Sequence, residues 1–235
     1  MRRVVHTALL LAVTGSGFAP GPARAGSPAL FGTIEFRAES HAALPQWRRV
    51  LAAIADNEPV LRACAHDPKA CPNRGTMAWL ALLRGLEGEP RLRQVREVNR
   101  FVNSWPYKTD LDTYGRRDRW ATPAEFFRNS GDCEDYAIAK YHSLRRLGFT
   151  PDQLRLVVLQ DVVRDLAHAV LAVYLGGEVY ILDNLTDAVL PQSRIAHYQP
   201  YYSFNELTRW VHTPPDALVV TASPYALEPA RTAPP

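Results

Sequence analysis

The chain has 235 residues, with 27 Lys and Arg against 24 Asp and Glu. Residues 1–25 carry Arg2, Arg3 and Arg24 and no acid, so the rest of the chain holds equal numbers of basic and acidic side chains. That balance argues against nucleic-acid binding or a general affinity for anionic lipid, and the remaining length, about 210 residues, suffices for one domain with a full hydrophobic core.

Arg2 and Arg3 precede an apolar run from Val4 to Val13 and a small-residue stretch ending Ala23-Arg24-Ala25. This pattern predicts a secretory signal peptide over 1–25, cut before Gly26. The run is too short to span a bilayer as a stable helix, and no later segment is apolar for the roughly eighteen residues a span needs, so the mature chain is expected not to cross a membrane. An oxidising compartment tends to pair thiols, and three cysteines leave one over. Cys64 and Cys71 bracket a short polar segment compatible with a local disulfide, although sequence does not give their separation. Cys133 lies far from both, as either a reactive thiol or a buried inert one.

From Gln46 to Trp105 the pattern is helical. Trp47, Val50, Leu51 and Ile54 recur at helical spacing, as do Val95, Val98, Phe101 and Val102, with a third helix predicted from Met77 to Leu86. Breaks are expected at Asn57-Glu58-Pro59, between Cys64 and Cys71, and at Gly88-Glu89-Pro90. Trp105 to Trp120 has no consistent period and reads as a long surface loop. Thr122-Pro123-Ala124-Glu125 is a capping box with proline at the first helical position, opening a short helix that ends by Ser130-Gly131. The next helix has Asp132 as N-cap, begins at Cys133 and closes at Gly148.

After Pro151 the period changes to that of strands: Leu154 to Leu159, Ala167 to Leu175 and Glu178 to Leu182, the last two joined by Gly176-Gly177. Beyond Pro191, Tyr198, Tyr201, Tyr202 and Phe204 follow at irregular spacing, then a short strand from Ala217 to Thr221 and a Pro- and Ala-rich tail over 224–235, expected to be disordered. The domain therefore spans 26–223, with no internal repeat.

A thiol attacks as its thiolate, and a helix N-terminus favours that anion. The backbone N–H of Cys133 can also face an oxyanion. The base follows from register. With a two-residue turn at Gly176-Gly177, Leu175 pairs with Glu178, which sets His168 opposite Leu185 and Asp183 opposite Val170. His168 and Asp183 then project from one face as diagonal neighbours, so the carboxylate can orient the imidazole. His41, His66 and His142 read as surface or packing residues, whereas His197 and His212, in irregular sequence, stay open as alternative bases.

The order of Cys133, His168 and Asp183 resembles that of the transglutaminase-like cysteine proteases. Phe31-Gly32-Thr33, Leu44-Pro45-Gln46-Trp47, Trp120-Ala121-Thr122-Pro123 and Gly131-Asp132-Cys133-Glu134-Asp135 are more narrowly similar to the bacterial periplasmic proteases of the LapG type, and His168-Ala169-Val170 and Leu182-Asp183-Asn184 complete the likeness. The resemblance implies cleavage of a large RTX-type surface adhesin near its N-terminus, releasing it and promoting biofilm dispersal. It also implies sequestration by an inner-membrane receptor for cyclic di-GMP.

Asp132, Glu134 and Asp135 surround the thiol and would raise its pKa, so a cation could offset them, and carboxylates are hard ligands suited to calcium. On the residues alone, an N-cap with first-turn acids explains these side chains as well. The family resemblance implies calcium dependence and favours Asp132, Glu134 and Asp135 as ligands, while Asp110, Asp112 and the Tyr114 carbonyl are uncommitted candidates. Trp120 is either a cleft wall or oxyanion contributor, or a hydrophobic staple on the helix after Thr122. The fold expected is α+β, papain-like and transglutaminase-like, with an N-terminal helical lobe, a mainly antiparallel sheet and the Cys133 helix at their junction. The activity expected is that of an exported, periplasmic cysteine peptidase. The same triad also serves a transglutaminase, and a non-catalytic calcium-dependent binding module is the alternative from another class.

Overall fold

The structure, a computed structural model, describes residues 28–38 and 40–216. The predicted signal peptide, the strand Ala217–Thr221 and the tail lie outside the described residues. The domain is α+β, as expected. Three helices, α1 (Pro45–His66), α2 (Arg74–Leu86) and α3 (Arg91–Asn103), precede the short α4 (Asp110–Tyr114) and α5 (Pro123–Asn129), and α6 (Cys133–Arg146) follows them. Six strands come after: β2 (Leu154–Asp161), β3 (Leu166–Leu175), β4 (Glu178–Asp183), β5 (Thr186–Pro191), β6 (Tyr198–Phe204) and β7 (Arg209–Thr213). With the early strand β1 (Ile34–Ala38) they form one seven-stranded sheet in the order β1-β7-β6-β2-β3-β4-β5, every pair antiparallel.

β3 sits near the middle, buried on both faces, which is why Ala169 to Leu175 is a continuous apolar run rather than an alternating one. Leu171 and Val173 join Trp47, Trp79, Val98, Phe126, Tyr141 and Leu144 in the core between sheet and helices. Val170, Ala172 and Tyr174 join Leu159, Val179, Ile181 and Tyr198 in a second cluster on the opposite face. Each fully buried large apolar side chain contributes about 1.5–3 kcal/mol relative to its exposed state, so these two layers hold the sheet ends where the site is built.

Four expectations change. α1 runs through Asn57-Glu58-Pro59 without a break. Proline removes the hydrogen bond to the Ala55 carbonyl, but Ala55 and Pro59 lie on the exposed side, where water can take it. Trp47, Val50, Leu61 and Cys64, on either side of Pro59, are buried and keep the helix in one piece. The stretch from Trp105 to Trp120 contains α4, capped by Thr109 and closed by Gly115 at φ 63°, which at five residues is too short to show a period. β6 reads irregularly because it carries a bulge: Val158 pairs with Tyr202 and Leu159 with Pro200, leaving Tyr201 extra. The β3–β4 turn pairs Leu175 with Glu178 as expected, but that ladder stops at Leu171 and Leu182, since β4 ends at Asp183 and turns back into β5.

Cys64 and Cys71 form a disulfide between α1 and α2, leaving Cys133 as the free thiol. Replacing both paired cysteines with alanine should lower the unfolding free energy by about 2–3 kcal/mol, read from urea titration at equal activity per folded molecule.

Candidate active site

The N-terminus of α6 is fixed from below. Asp135, on its first turn and fully buried, accepts the N–H of Ala121 at 2.5 Å through Oδ1 and that of Asp132 at 3.3 Å through Oδ2. A Cβ on Gly131 would stand 2.1 Å from that second oxygen, so only glycine leaves room for the carboxylate. Cys133 is thereby held at the first position of α6, half-buried. Its Sγ lies 3.1 Å from Glu134 Oε2.

His168 and Ala169 come from the start of β3. His168, buried and paired across β2 with Leu159, places Nε2 2.9 Å from Asp183 Oδ1. Asp183 also accepts the Leu185 N–H at 3.0 Å and, through Oδ2, the Tyr198 hydroxyl at 2.5 Å. Burial opposes its charge, but His168, Tyr198 and the Leu185 N–H outweigh it and bring the carboxyl from 3.8 to about 2. His168 and Asp183 share the alternation of Val170 and Ile181, so both face the side of Tyr198. The expected opposition of His168 to Leu185 is not formed, and the contact with Asp183 is made across the end of β4.

Cys133 and His168 line one cavity of about 200 Å³ with Asp118, Trp120, Glu134, Val158, Ala167, Ala169 and Tyr202. Among the described residues, no other histidine lines it. His142 packs on Trp47, His212 lies between Thr33 and Ser203, and His197 lies against Tyr198. Trp120 is both wall and packing: it borders the cavity and stacks on Phe204, and its indole N–H is engaged by Asp118 at 3.0 Å.

Of the three carboxylates expected to hold a cation, Asp132 and Glu134 come together with Asp110, their candidate ligand atoms all within 4.8 Å of one another. Asp135 is turned inward and its oxygens serve backbone N–H groups instead, while Asp112 bonds the Thr109 hydroxyl at 2.7 Å at the start of α4. Asp110 Oδ1 and Asp132 Oδ1 are buried and have no hydrogen-bond partner among the described residues, and burial together with Glu134 raises the Asp132 carboxyl from 3.8 to about 8. Burial, then Glu134 and Asp132, likewise push the Cys133 thiol up. Two unfilled buried oxygens in an all-carboxylate group fit a hard divalent cation, whose charge would reverse these shifts. Tyr198 and Asp110 are the participants that sequence reasoning did not commit to: nothing local ties Tyr198 to Asp183, and no spacing marked Asp110 among the acids of its loop.

A family model for the bacterial transglutaminase-like cysteine proteinases matches residues 58–215. Among solved structures, Legionella pneumophila LapG is 32% identical, with 69% of this chain and 91% of that one covered and a TM-score of 0.57. Its calcium-bound form is 31% identical over 69% and 97% at 0.57, and its EGTA-treated form 31% identical over 68% and 91% at 0.56. A search of curated proteins finds no match.

Without a cation, the Asp132 carboxyl should cost the fold stability as pH rises. Because Asp132 binds its proton up to about pH 8 in the fold and only to 3.8 when unfolded, the folded state holds the extra proton between those values and is penalised as it is removed. Relative to Asp132→Asn protein, wild type in chelator should lose melting temperature from about pH 6.5 to 8, above the range in which the buried His142 and His212 add stability with rising pH, and added calcium should flatten that loss; no difference between the two proteins would contradict the crowded-carboxylate account.

Proposed function

Since the chain belongs to the bacterial transglutaminase-like cysteine proteinases, it is a cysteine peptidase, and we propose that Cys133 is its nucleophile, His168 its base and Asp183 the carboxylate that orients the base. The observation that supports these roles is that Cys133 and His168 border one cavity while Asp183 holds the other side of the imidazole at 2.9 Å. An ionised carboxylate only accepts, so Nε2 carries the ring proton and Nδ1 is left to accept from the thiol.

The reaction follows from those positions. His168 Nδ1 takes the thiol proton and the thiolate attacks the peptide carbonyl carbon, with the oxyanion facing the Cys133 backbone N–H at the start of α6. The imidazolium, stabilised by Asp183, protonates the leaving amine as the C–N bond breaks. His168 then takes a proton from water, whose oxygen displaces the thiolate from the acyl-enzyme, and returns that proton to sulfur. Asp110, Asp132 and Glu134 would hold calcium, which when bound supplies positive charge beside a thiol that the carboxylates otherwise disfavour.

The substrate in this reading is the N-terminal region of a large RTX-type surface adhesin, cut to release it and promote biofilm dispersal. The controlling partner is an inner-membrane cyclic di-GMP receptor that sequesters the protease. Residues 1–25 direct the rest to the periplasm, and no helix among the described residues is long and apolar enough to cross a membrane. These points rest on the likeness to LapG-type proteases, and calcium use is supported by the calcium-bound and EGTA-treated forms among the similar structures.

The test is cleavage of the N-terminal region of such an adhesin from the same organism. Wild type should cut it in calcium and not in chelator, and Cys133→Ala should not cut it at all. Asp183→Asn should retain binding while kcat falls by about a hundredfold or more, because the amide no longer holds the required tautomer. New protein termini mark hydrolysis; isopeptide products with released ammonia would replace the peptidase reading by a transglutaminase. Cleavage that survives Cys133→Ala would refute the assigned nucleophile.

A further inference from the structure

The catalytic cavity does not end at its wall. Asp118 and Trp120, which border it, also border a second cavity of about 350 Å³, lined further by Pro45, Gln46, Arg49, Arg116, Arg117 and Arg119. The two are therefore neighbours across one shared wall, and together they fall in the range of about 300–1,000 Å³ usual for ligand clefts. Four arginines in the outer cavity are answered by few acids. Arg49 and Arg119 share Glu125, at 3.9 and 2.5 Å, and that carboxylate also accepts the Thr122 N–H at 2.7 Å. Asp118, at φ 57°, has Oδ2 held by Gln46 at 2.7 Å and Oδ1 by Trp120. Arg116 and Arg117 are exposed and form no ion pair among the described residues. At the catalytic end the sign reverses, with Asp110, Asp132 and Glu134 grouped beside the thiol.

We infer that Arg116 and Arg117 form a subsite for an acidic side chain of the peptide substrate, placed to one side of the bond being cut. The guanidinium fork suits a carboxylate and is weakly hydrated, so a glutamate or aspartate lying along this shelf meets unneutralised positive charge, whereas beside the sulfur the calcium that the site would hold is already matched by three carboxylates. Positive charge free to pair with a substrate acid thus stands to one side of the sulfur and fixes which way round a substrate lies. The shelf starts at the wall of the catalytic cavity, so the recognised acid lies on the side of the scissile bond that runs toward Trp120 and Asp118.

This inference rests on the peptidase reading, and its test separates the two. Wild type and Arg116→Gln/Arg117→Gln protein, both in calcium, are incubated with a peptide library in which Glu or its isosteric Gln occupies each flanking position, and kcat/KM is read by mass spectrometry. Wild type should prefer Glu over Gln by about fivefold at positions on one side of the cut, the yield of partly exposed ion pairs, and the preference should fade at high salt. In the double variant that ratio should fall to about one. No acid preference in wild type, or the same preference in the variant, overturns the subsite. The peptidase reading is judged separately, by cleavage of the adhesin region; if wild type cuts no library peptide, the shelf is judged by binding of fluorescent Glu and Gln peptides to Cys133→Ala protein with and without the two arginine substitutions. Tighter binding of the Glu peptides that depends on Arg116 and Arg117 upholds it, and equal binding rejects it.

Discussion

The buried carboxylate of Asp135 anchors the site. By accepting the N–H groups of Ala121 and Asp132 it ties the segment ahead of α5 to the first turn of α6, so that Trp120, Asp118 and Cys133 are held around one cavity. Burial raises this carboxyl well above 3.8 while the Ala121 N–H works the other way. The absence of a Cβ at Gly131 is what lets the carboxylate reach its place. Removing either partner leaves the other in a space it cannot fill, a coupling that accounts for the adjacent Gly131, Asp132 and Asp135 flanking the cysteine.

A second constraint opposes the first. The helix terminus that favours a thiolate also gathers Glu134 and Asp132 next to the sulfur, and the burial that shields the site from water penalises every anion in it. Asp183 escapes this penalty because three donors converge on it, one from each of His168, Tyr198 and Leu185. Among the described residues, the group of Asp110, Asp132 and Glu134 has fewer donors, and Asp110 Oδ1 and Asp132 Oδ1 have no hydrogen-bond partner. The two halves of the site therefore solve the same electrostatic problem differently: hydrogen bonds on the His168 side, and on the other side a group of carboxylates suited to an external charge.

Local patterns carried much of the architecture. The capping box at Thr122 and the glycine turn at 176–177 are short-range chemistry, satisfied within a few residues, so they are legible without tertiary information. The parity of His168 and Asp183 was legible for the same reason, because side-chain alternation is a property of the strand itself. Where the period was broken the pattern failed: Tyr201 is the extra residue of a bulge, α4 is a single turn, and Pro59 sits in a helix whose buried residues override it.

By itself, the amino-acid order determined the α+β class, the helix that starts at Cys133 and the strand carrying His168, because propensity, capping and periodicity act over distances shorter than one element. Tertiary structure alone decided that Tyr198 grips Asp183, that Asp110 rather than Asp135 meets Asp132 and Glu134, and that arginines from α1 and the loop after α4 share a wall with the thiol. Each of those contacts joins residues from different elements, and its existence depends on how the sheet, the helices and one buried carboxylate pack together, which no local spacing encodes.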